Sequence, residues 1–342
     1  MADPELRTHL KDLGASDEQL AALDDEGLIG LAGDLQLAAD LRLDLERLAE
    51  ETGRTVADVQ SVYGQLGLRP DDLAGFGEGD ITLINLLFAD ATVMVADIVP
   101  QLLRVTGGLM TRLAEAVVAA YVQDVEDPAD EATDLITLAD QNVLGSSLAL
   151  ALGDNLSTVF KHHMWTAVRR QRRSQLGVTA RELVRTAIGF VDLVGFTPLS
   201  RSVPPAELIA VIEDFEHRAF ETSIRHGGRI VKSIGDEVMI AATEPAQVAA
   251  IALELIGSIG DDPSVAPRGG VSAGDVLFRL GDYYGPVVNL ASRLTAEAVP
   301  GEVLTDLETI EGPRLSVHPA GRRTLKGIEE PVPVWSIQSP TS

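Results

Sequence analysis

The chain changes its pattern about halfway along, and that change limits the folds open to it. From Arg185 to Gln338 short β-rich runs alternate with amphipathic helical stretches, whereas before residue 155 the periodic segments have helical spacing. In the second half "RTAIGFVDLVGFT" reads as a strand, a helix follows from Pro204 to about His226, and strands flank Gly235-Asp236. "EPAQVAAIALELIGSI" then predicts a helix, "GGVSAGDVLFRLGDYYG" strands, "GPVVNLASRLTAEAV" a helix, and "GEVLTD" and "RRTLKGIEEPVPVWSIQ" further strands. Alternating elements joined by short hairpins predict an α+β sandwich of about 165 residues.

The first half predicts an all-α domain. "SDEQLAALDDEGLIGLAGDL" opens with Ser16 as a helix N-cap and acidic residues in the first turn. Leu41, Leu45 and Leu48 stand at helical spacing before a stop at Gly53, and Thr55 caps the next helix. "RPDDLAGFGEGD" is a loop. The strongly apolar run from Ile81 to Gln123 is expected to be divided or bent at Pro100 and Gly107-Gly108. Helices this apolar belong inside a bundle or line a pocket for an apolar ligand. The expected organisation is a helical domain over 1–154, a helical connector over 155–184 interrupted near Gly177, and an α+β domain over 185–342.

Charge is distributed unequally. Of a net charge of −25, residues 1–165 carry most, with 9 Lys and Arg against 30 Asp and Glu. Such a chain repels a polyphosphate backbone, so nucleic acid is not an expected partner; "RRQRR", Arg169 to Arg173, is a local exception. Cysteine is absent, which removes disulfides, thiolate metal sites and cysteine nucleophiles. The longest uncharged run, Gln141 to Gly153, has 13 residues and includes Asn142, Ser146 and Ser147, too short and polar to span a bilayer. With no basic-then-apolar start either, the expectation is a soluble cytoplasmic protein without a transmembrane segment.

Several residues of the second half resist a purely structural account. Asp192 interrupts the apolar strand "IGFVDLVGF", where an ionised carboxylate is costly unless it is paired or binds a metal. Its replacement by alanine is therefore expected to leave the fold intact or more stable. Asp236 sits at the hairpin tip of "VKSIGDEVMI", four residues after Lys232. Two carboxylates with few other ligands suit Mg²⁺, which completes its shell with water and substrate phosphates. Asn289 and Arg293 are i and i+4 on one helix face, beside an apolar stripe of Val287, Leu290 and Leu294.

Together these stretches resemble the class III nucleotidyl cyclase catalytic domain. "FVDLVGFT" and "VKSIGDEVM" are similar to that family's two metal motifs, "GDYYGPVVNLASR" to its substrate and transition-state helix, and "LKG" to its triphosphate motif. The resemblance implies a ferredoxin-like α+β core, with Asp192 and Asp236 holding two Mg²⁺ or Mn²⁺ ions. It further implies that Lys232 and Asp282 read adenine, Asn289 orients the ribose, Arg293 stabilises the α-phosphate and Lys326 holds the terminal phosphates. The implied reaction is in-line attack of the ribose 3′-oxygen on ATP, giving cyclic AMP and pyrophosphate. It takes place in two equivalent sites shared by a homodimer. Lys232 can donate to adenine N1 and Asp282 can accept from its 6-amino group, whereas guanine inverts both positions.

"IGDEV" also resembles the Gly-Gly-Asp-Glu-Phe signature of diguanylate cyclases, with Ile234 in place of the first glycine. A catalytically silent nucleotide-binding scaffold is the other alternative. The first half resembles the helical regulatory module of mycobacterial-type, pH-responsive cyclases. His162 and His163 in the connector are candidate pH-sensing residues, since their protonation would add positive charge beside the acidic first half. Docking of the connector there is expected to hold the catalytic domains apart, so that the first half inhibits, with alignment of those domains as the opposite alternative.

Overall fold

The computed structural model describes residues 3–89, 98–124, 134–174, 183–259 and 265–339. The chain divides into two compact units, residues 1–165 and 166–342. The first unit is built from α1 (Pro4–Asp12), α2 (Asp17–Ala22), α3 (Asp25–Leu37), α4 (Leu45–Thr52), α5 (Val56–Gln65), α6 (Glu78–Leu87), α7 (Val99–Asp124) and most of α8 (Leu135–Ser174). Two small cores hold it together. Leu6, Leu10, Leu20 and Leu28 meet Ala139 of α8, and Leu48, Val59, Tyr63, Phe76 and Ile84 meet Leu103 of α7.

Local sequence explains most helix starts here. Ser16 and Thr55 each close a capping box, with Gln19 and Asp58 respectively. The stretch after Ser16 is two helices rather than one, because Asp24 caps a new start through the Gly27 amide at 3.0 Å. Leu41 falls outside α4: Asp44 is its N-cap, and Leu43 instead pairs with Phe76 in an isolated bridge.

The apolar second part of the unit departs from expectation. Pro100 lies in the first turn of α7, where a proline costs no hydrogen bond. The helix then runs unbroken through Gly107-Gly108. The reason for a glycine is tertiary: a Cβ at position 107 would stand 2.1 Å from the Leu66 carbonyl oxygen. Neither α7 nor α8 is a fully buried bundle helix, since Leu109, Met110, Leu144, Leu148, Phe160 and Trp165 are exposed. Across position 154 α8 is continuous, and the interruption expected near Gly177 lies outside the described residues. Among the described residues α8, over Leu135–Arg170, is also long and apolar enough to cross a membrane by length and composition. The helix is longer than the uncharged run inside it, because the single charges at Asp140 and Asp154 end that run but do not end a helix.

The second unit is a mixed α+β domain. In chain order it comprises β1 (Leu183–Val194), α9 (Phe196–Leu199), α10 (Pro205–Arg225), β2 (Arg229–Ile234), β3 (Glu237–Ala242), α11 (Pro245–Ser258), β4 (Ala266–Arg279) and β5 (Asp282–Tyr284). It then continues with α12 (Pro286–Glu297), β6 (Val303–Thr305), β7 (Ser316–Arg323) and β8 (Val332–Gln338). The strands form one sheet ordered β2-β3-β1-β4-β6-β8-β7, with β5 paired to β4. Central β1 runs antiparallel to both β3 and β4, while β4 and β6 are parallel. One face is covered by α10 and α11 over Ala187, Val191, Val238 and Ile240, and the other by α12 over Ile188, Phe190 and Met239. With both faces covered, Thr186 to Val191 are all buried, which is why β1 reads as a continuous apolar run.

Candidate active site

The polar groups gather where β1, β3 and β4 meet on the face covered by α12. Asp192 follows Ile188 and Phe190 on that face, near the end of β1. Directly across on β4 stands Arg268, whose Nε and Nη2 donate to Asp192 Oδ2 at 3.0 and 2.9 Å. The same guanidinium's Nη1 donates to the carbonyl oxygens of Ala296 at 2.7 Å and Ala298 at 3.3 Å. Asp192 is thus compensated in its apolar strand. The expectation that alanine there would relieve a cost is corrected, because the change would leave a largely buried guanidinium unpaired, at about 1–3 kcal/mol.

Across the other edge of β1 the β2–β3 hairpin closes with a two-residue loop. Gly235 takes φ 64° at the first central position, as a type II′ loop requires, and Asp236 takes the second. The Leu193 amide donates to the Asp236 carbonyl at 3.1 Å and ties the hairpin tip to the end of β1. Glu237 is the direct cross-strand partner of Asp192. Burial raises the Asp236 carboxyl, and the Asp192 charge adds to the shift. Burial likewise pushes Glu237 up to about 7, reinforced by Asp192 and Asp236.

Two carboxylates that resist ionisation, Asp236 and Glu237, crowd beside Asp192 with Arg268 as the neighbouring cation, an environment that a divalent cation would relieve. The donors are all oxygen, as Mg²⁺ or Mn²⁺ prefers. No group of three or more His, Asp or Glu among the described residues is arranged to hold an ion by itself. The residues present therefore fit an ion that keeps part of its shell for water and phosphate oxygens.

Lys232 reaches its position through a β-bulge. Ile230 opposes Ile240 and Lys232 opposes Met239, leaving Val231 as the extra residue. In a regular strand Lys232 would share the face of Ile230, which belongs to the core under α10 and α11. The bulge turns it to the α12 face with Met239. There its Nζ donates to Asp282 Oδ2 at 2.6 Å, bringing together residues fifty apart in the chain. Arg229 flanks the pair, its guanidinium 5.1 Å from the Tyr283 ring centre.

Asn289 and Arg293 lie one turn apart on α12, the first exposed and the second half-buried. A Cβ at Gly270 of β4 would stand 2.3 Å from the Thr295 amide nitrogen and 2.4 Å from the Ala291 carbonyl oxygen, so only glycine lets the helix approach this closely. Thr295 Oγ1 adds a bond to the Phe190 carbonyl at 3.3 Å. Lys326 is exposed in the segment between β7 and β8, next to buried Leu325.

The structure thus joins Lys232 to Asp282 and sets Asp236 beside the end of β1. Among the described residues no hydrogen bond or ion pair links Asn289 or Arg293 to those groups. His162 and His163 lie exposed on α8 within the first unit. Sequence reasoning passed over Arg268 and Glu237. A signal for Arg268 was present: "PRGGV" puts a lone cation at the start of an apolar strand, as "FVDLV" puts a lone anion at the end of another.

Comparison with known proteins matches residues 178–336 to the adenylate and guanylate cyclase catalytic domain. An uncharacterised protein of Mycobacterium tuberculosis (strain ATCC 25618 / H37Rv) is 31% identical over 343 residues, covering 97% of this chain and 89% of the relative. An adenylate cyclase of Streptomyces coelicolor is 31% identical over 315 residues, 89% of this chain and 77% of its own. A pH-sensitive adenylate cyclase of M. tuberculosis (strain CDC 1551 / Oshkosh) is 28% identical over 256 residues, 71% of this chain and 63% of its own. Among solved structures, the adenylyl cyclase CyaB of P. aeruginosa aligns at 21% identity over 47% of this chain and 96% of that one, with a TM-score of 0.41. The chain belongs to the class III nucleotidyl cyclase family, whose catalytic domain it carries in its second unit.

Proposed function

We propose that this protein is an adenylate cyclase, converting ATP to 3′,5′-cyclic AMP and pyrophosphate. The observation that carries the reading is the Lys232–Asp282 pair at 2.6 Å, a cationic donor beside an anionic acceptor. That order matches adenine, which accepts at N1 and donates from its 6-amino group. The Streptomyces coelicolor relative, named an adenylate cyclase, supports the same choice.

In this reading Asp192 and Asp236 hold two Mg²⁺ or Mn²⁺ ions. The chemistry supplied by such bound ions is activation of the 3′-hydroxyl and neutralisation of phosphate charge. Asn289 orients the ribose, and Arg293 offers fixed positive charge where negative charge develops on the α-phosphate. Lys326 holds the terminal phosphates. Two chains pair head to tail, so that Asp192 and Asp236 of one copy face Asn289 and Arg293 of the other. The enzyme works in the cytoplasm, where ATP is available.

Purified full-length protein incubated with Mg-ATP, Mn-ATP or Mg-GTP tests this directly. Cyclic AMP from ATP is expected. Cyclic GMP or cyclic di-GMP from GTP would overturn the base assignment, and nucleotide binding without turnover would make the chain a scaffold.

The helical unit is proposed to inhibit the catalytic one in a pH-dependent way. The support is the pH-sensitive relative and the position of His162 and His163 on α8, which leads into the catalytic domain. The unit also contains an apolar cleft of about 560 Å³ between α5, α6 and α7, lined by Leu66, Leu83, Leu87, Leu103 and Met110, a size within the general range of small-molecule pockets. A chain starting at Arg181 should exceed the full-length enzyme in activity at pH 8 and show a flatter pH profile. Replacing both histidines by glutamine should flatten the full-length profile. Identical profiles in all three proteins would remove the regulatory reading and leave the cyclase assignment standing.

A further inference from the structure

Arg268 makes contact with two parts of the catalytic domain at once. Its Nε and Nη2 converge on one oxygen of Asp192, at 3.0 and 2.9 Å, and leave Oδ1 outside the fork. Its Nη1 takes the carbonyls of Ala296 and Ala298, acceptors that the end of α12 cannot satisfy within the helix. A cation at a helix C-terminus is also favoured by the helix dipole. The cross-strand register places Arg268 opposite Asp192, so the side chain reaches both targets from one position on the β1–β4 pair. Lysine could keep the charge there but lacks the planar fork needed for both contacts.

We propose that Arg268 is a positioning residue that fixes the Asp192 carboxylate for metal binding and locks the last turn of α12 to the same strand pair. The proposal rests on the cyclase reading of Asp192 and α12. In a head-to-tail dimer Asp192 serves one site while Asn289 and Arg293 of the same copy serve the other. Arg268 is then the bond through which the two half-sites of one copy hold a common alignment.

A counter-charge alone would act in the opposite direction, because a guanidinium beside a carboxylate weakens its attraction for a cation. The two roles separate by experiment. Mn²⁺ binding to full-length, nucleotide-free protein is measured from the electron paramagnetic resonance of the free ion, for wild type, Arg268→Lys and Arg268→Gln. Positioning predicts that both variants bind Mn²⁺ at least about tenfold more weakly, as expected when a partner that orients a metal ligand is lost. It also predicts faster amide exchange over residues 294–298 in both. Tighter Mn²⁺ binding by Arg268→Gln with Arg268→Lys at the wild-type value would overturn the proposal, as would no change in either or no Mn²⁺ binding by wild type. Unchanged amide exchange would overturn the α12 half. If Arg268→Gln does not fold, Arg268→Lys decides alone. Because the measurement involves no turnover, a wild-type protein inactive on ATP would sink the cyclase reading without deciding this one.

Discussion

The two units use acidic residues in opposite ways. In the helical unit Asp3, Asp24 and Asp44 are N-caps whose carboxylates accept backbone amides that a helix start leaves unpaired. Folding accounts for them. In the catalytic unit the larger helices start at Pro204, Glu244 and Gly285, with Glu244 closing a box with Gln247, whereas the acids of the candidate site stand at strand ends and a hairpin tip, where no helix start calls for them. Asp192, Asp236 and Glu237 crowd together, and burial opposes the ionisation of the last two. A charge that relieves a fold is evidence about folding; a charge that the fold resists needs another reason, and the proposed metal site supplies one.

The largest effect that could break this contrast is on turnover. Asp236→Ala and Arg293→Ala should each lower kcat on the order of a thousandfold or more, with the fold retained. Mixed and allowed to exchange, the two inactive chains should recover about a quarter of wild-type activity, since half the dimers are mixed and each keeps one intact site. Mixed dimers that stay silent would show that the site is not shared between copies. Asp192→Ala is a poorer probe, because it also strips Arg268 of its partner.

Next in size is Gly270→Ala. The added methyl group meets the backbone of α12, which cannot yield as a side-chain tip would. A loss of about 1–3 kcal/mol in urea unfolding is expected, with a fall in kcat as Asn289 and Arg293 shift. Wild-type stability in this variant would mean that α12 is not seated by that contact.

The third prediction concerns pH. The Glu237 carboxyl is raised from its ordinary value of 4.5 to about 7, so it favours the folded state most below pH 4.5 and loses that contribution as pH rises through about 7. Metal-free protein should therefore weaken between pH 5 and pH 8, and Glu237→Gln should remove on the order of 2 kcal/mol of that loss, after allowance for solvent screening. Thermal unfolding in EDTA reads this, and equal slopes for variant and wild type would refute it. Added Mg²⁺ should stabilise wild type most at pH 8, where the carboxylates are ionised.

The smallest effect belongs to the other unit. Asp44→Ala removes a cap bonded to the Arg47 amide at 2.8 Å and should cost about 1 kcal/mol of stability. Measured at a temperature where the protein stays folded, kcat should not move. A change in kcat would blur the contrast by making a helix cap part of the enzyme's control.

What could be read from the sequence follows the range of each interaction. Ser16, Thr55 and Gly235 act within three residues, so their caps and turn were visible. Asp192 and Asp236 stood out because each breaks an apolar pattern. Arg268 was missed because its partner is 76 residues away, and only the β1–β4 register brings them together. Gly107 suggested a break because its reason, the Leu66 carbonyl, lies at the C-terminal cap of α5, far off in the chain. The continuity of α8 across Asp140 and Asp154 has a different cause. Isolated aspartates interrupt hydropathy without interrupting helical hydrogen bonding.

The extra residue at Val231 gives the proposed adenine-reading pair an unusual vulnerability. Deleting Ile234 with the two-residue loop kept would pair Val231 with Met239 in a regular ladder, and so leave Lys232, Asp236 and Asp282 all present while rotating the lysine to the opposite side of the sheet. A survey of residue identities would count such a chain as a complete enzyme. Under the proposed function, spacing is then part of the specificity code in β2: nucleotide choice would be erased there by a change in chain length alone, with no substitution at Lys232 or Asp282.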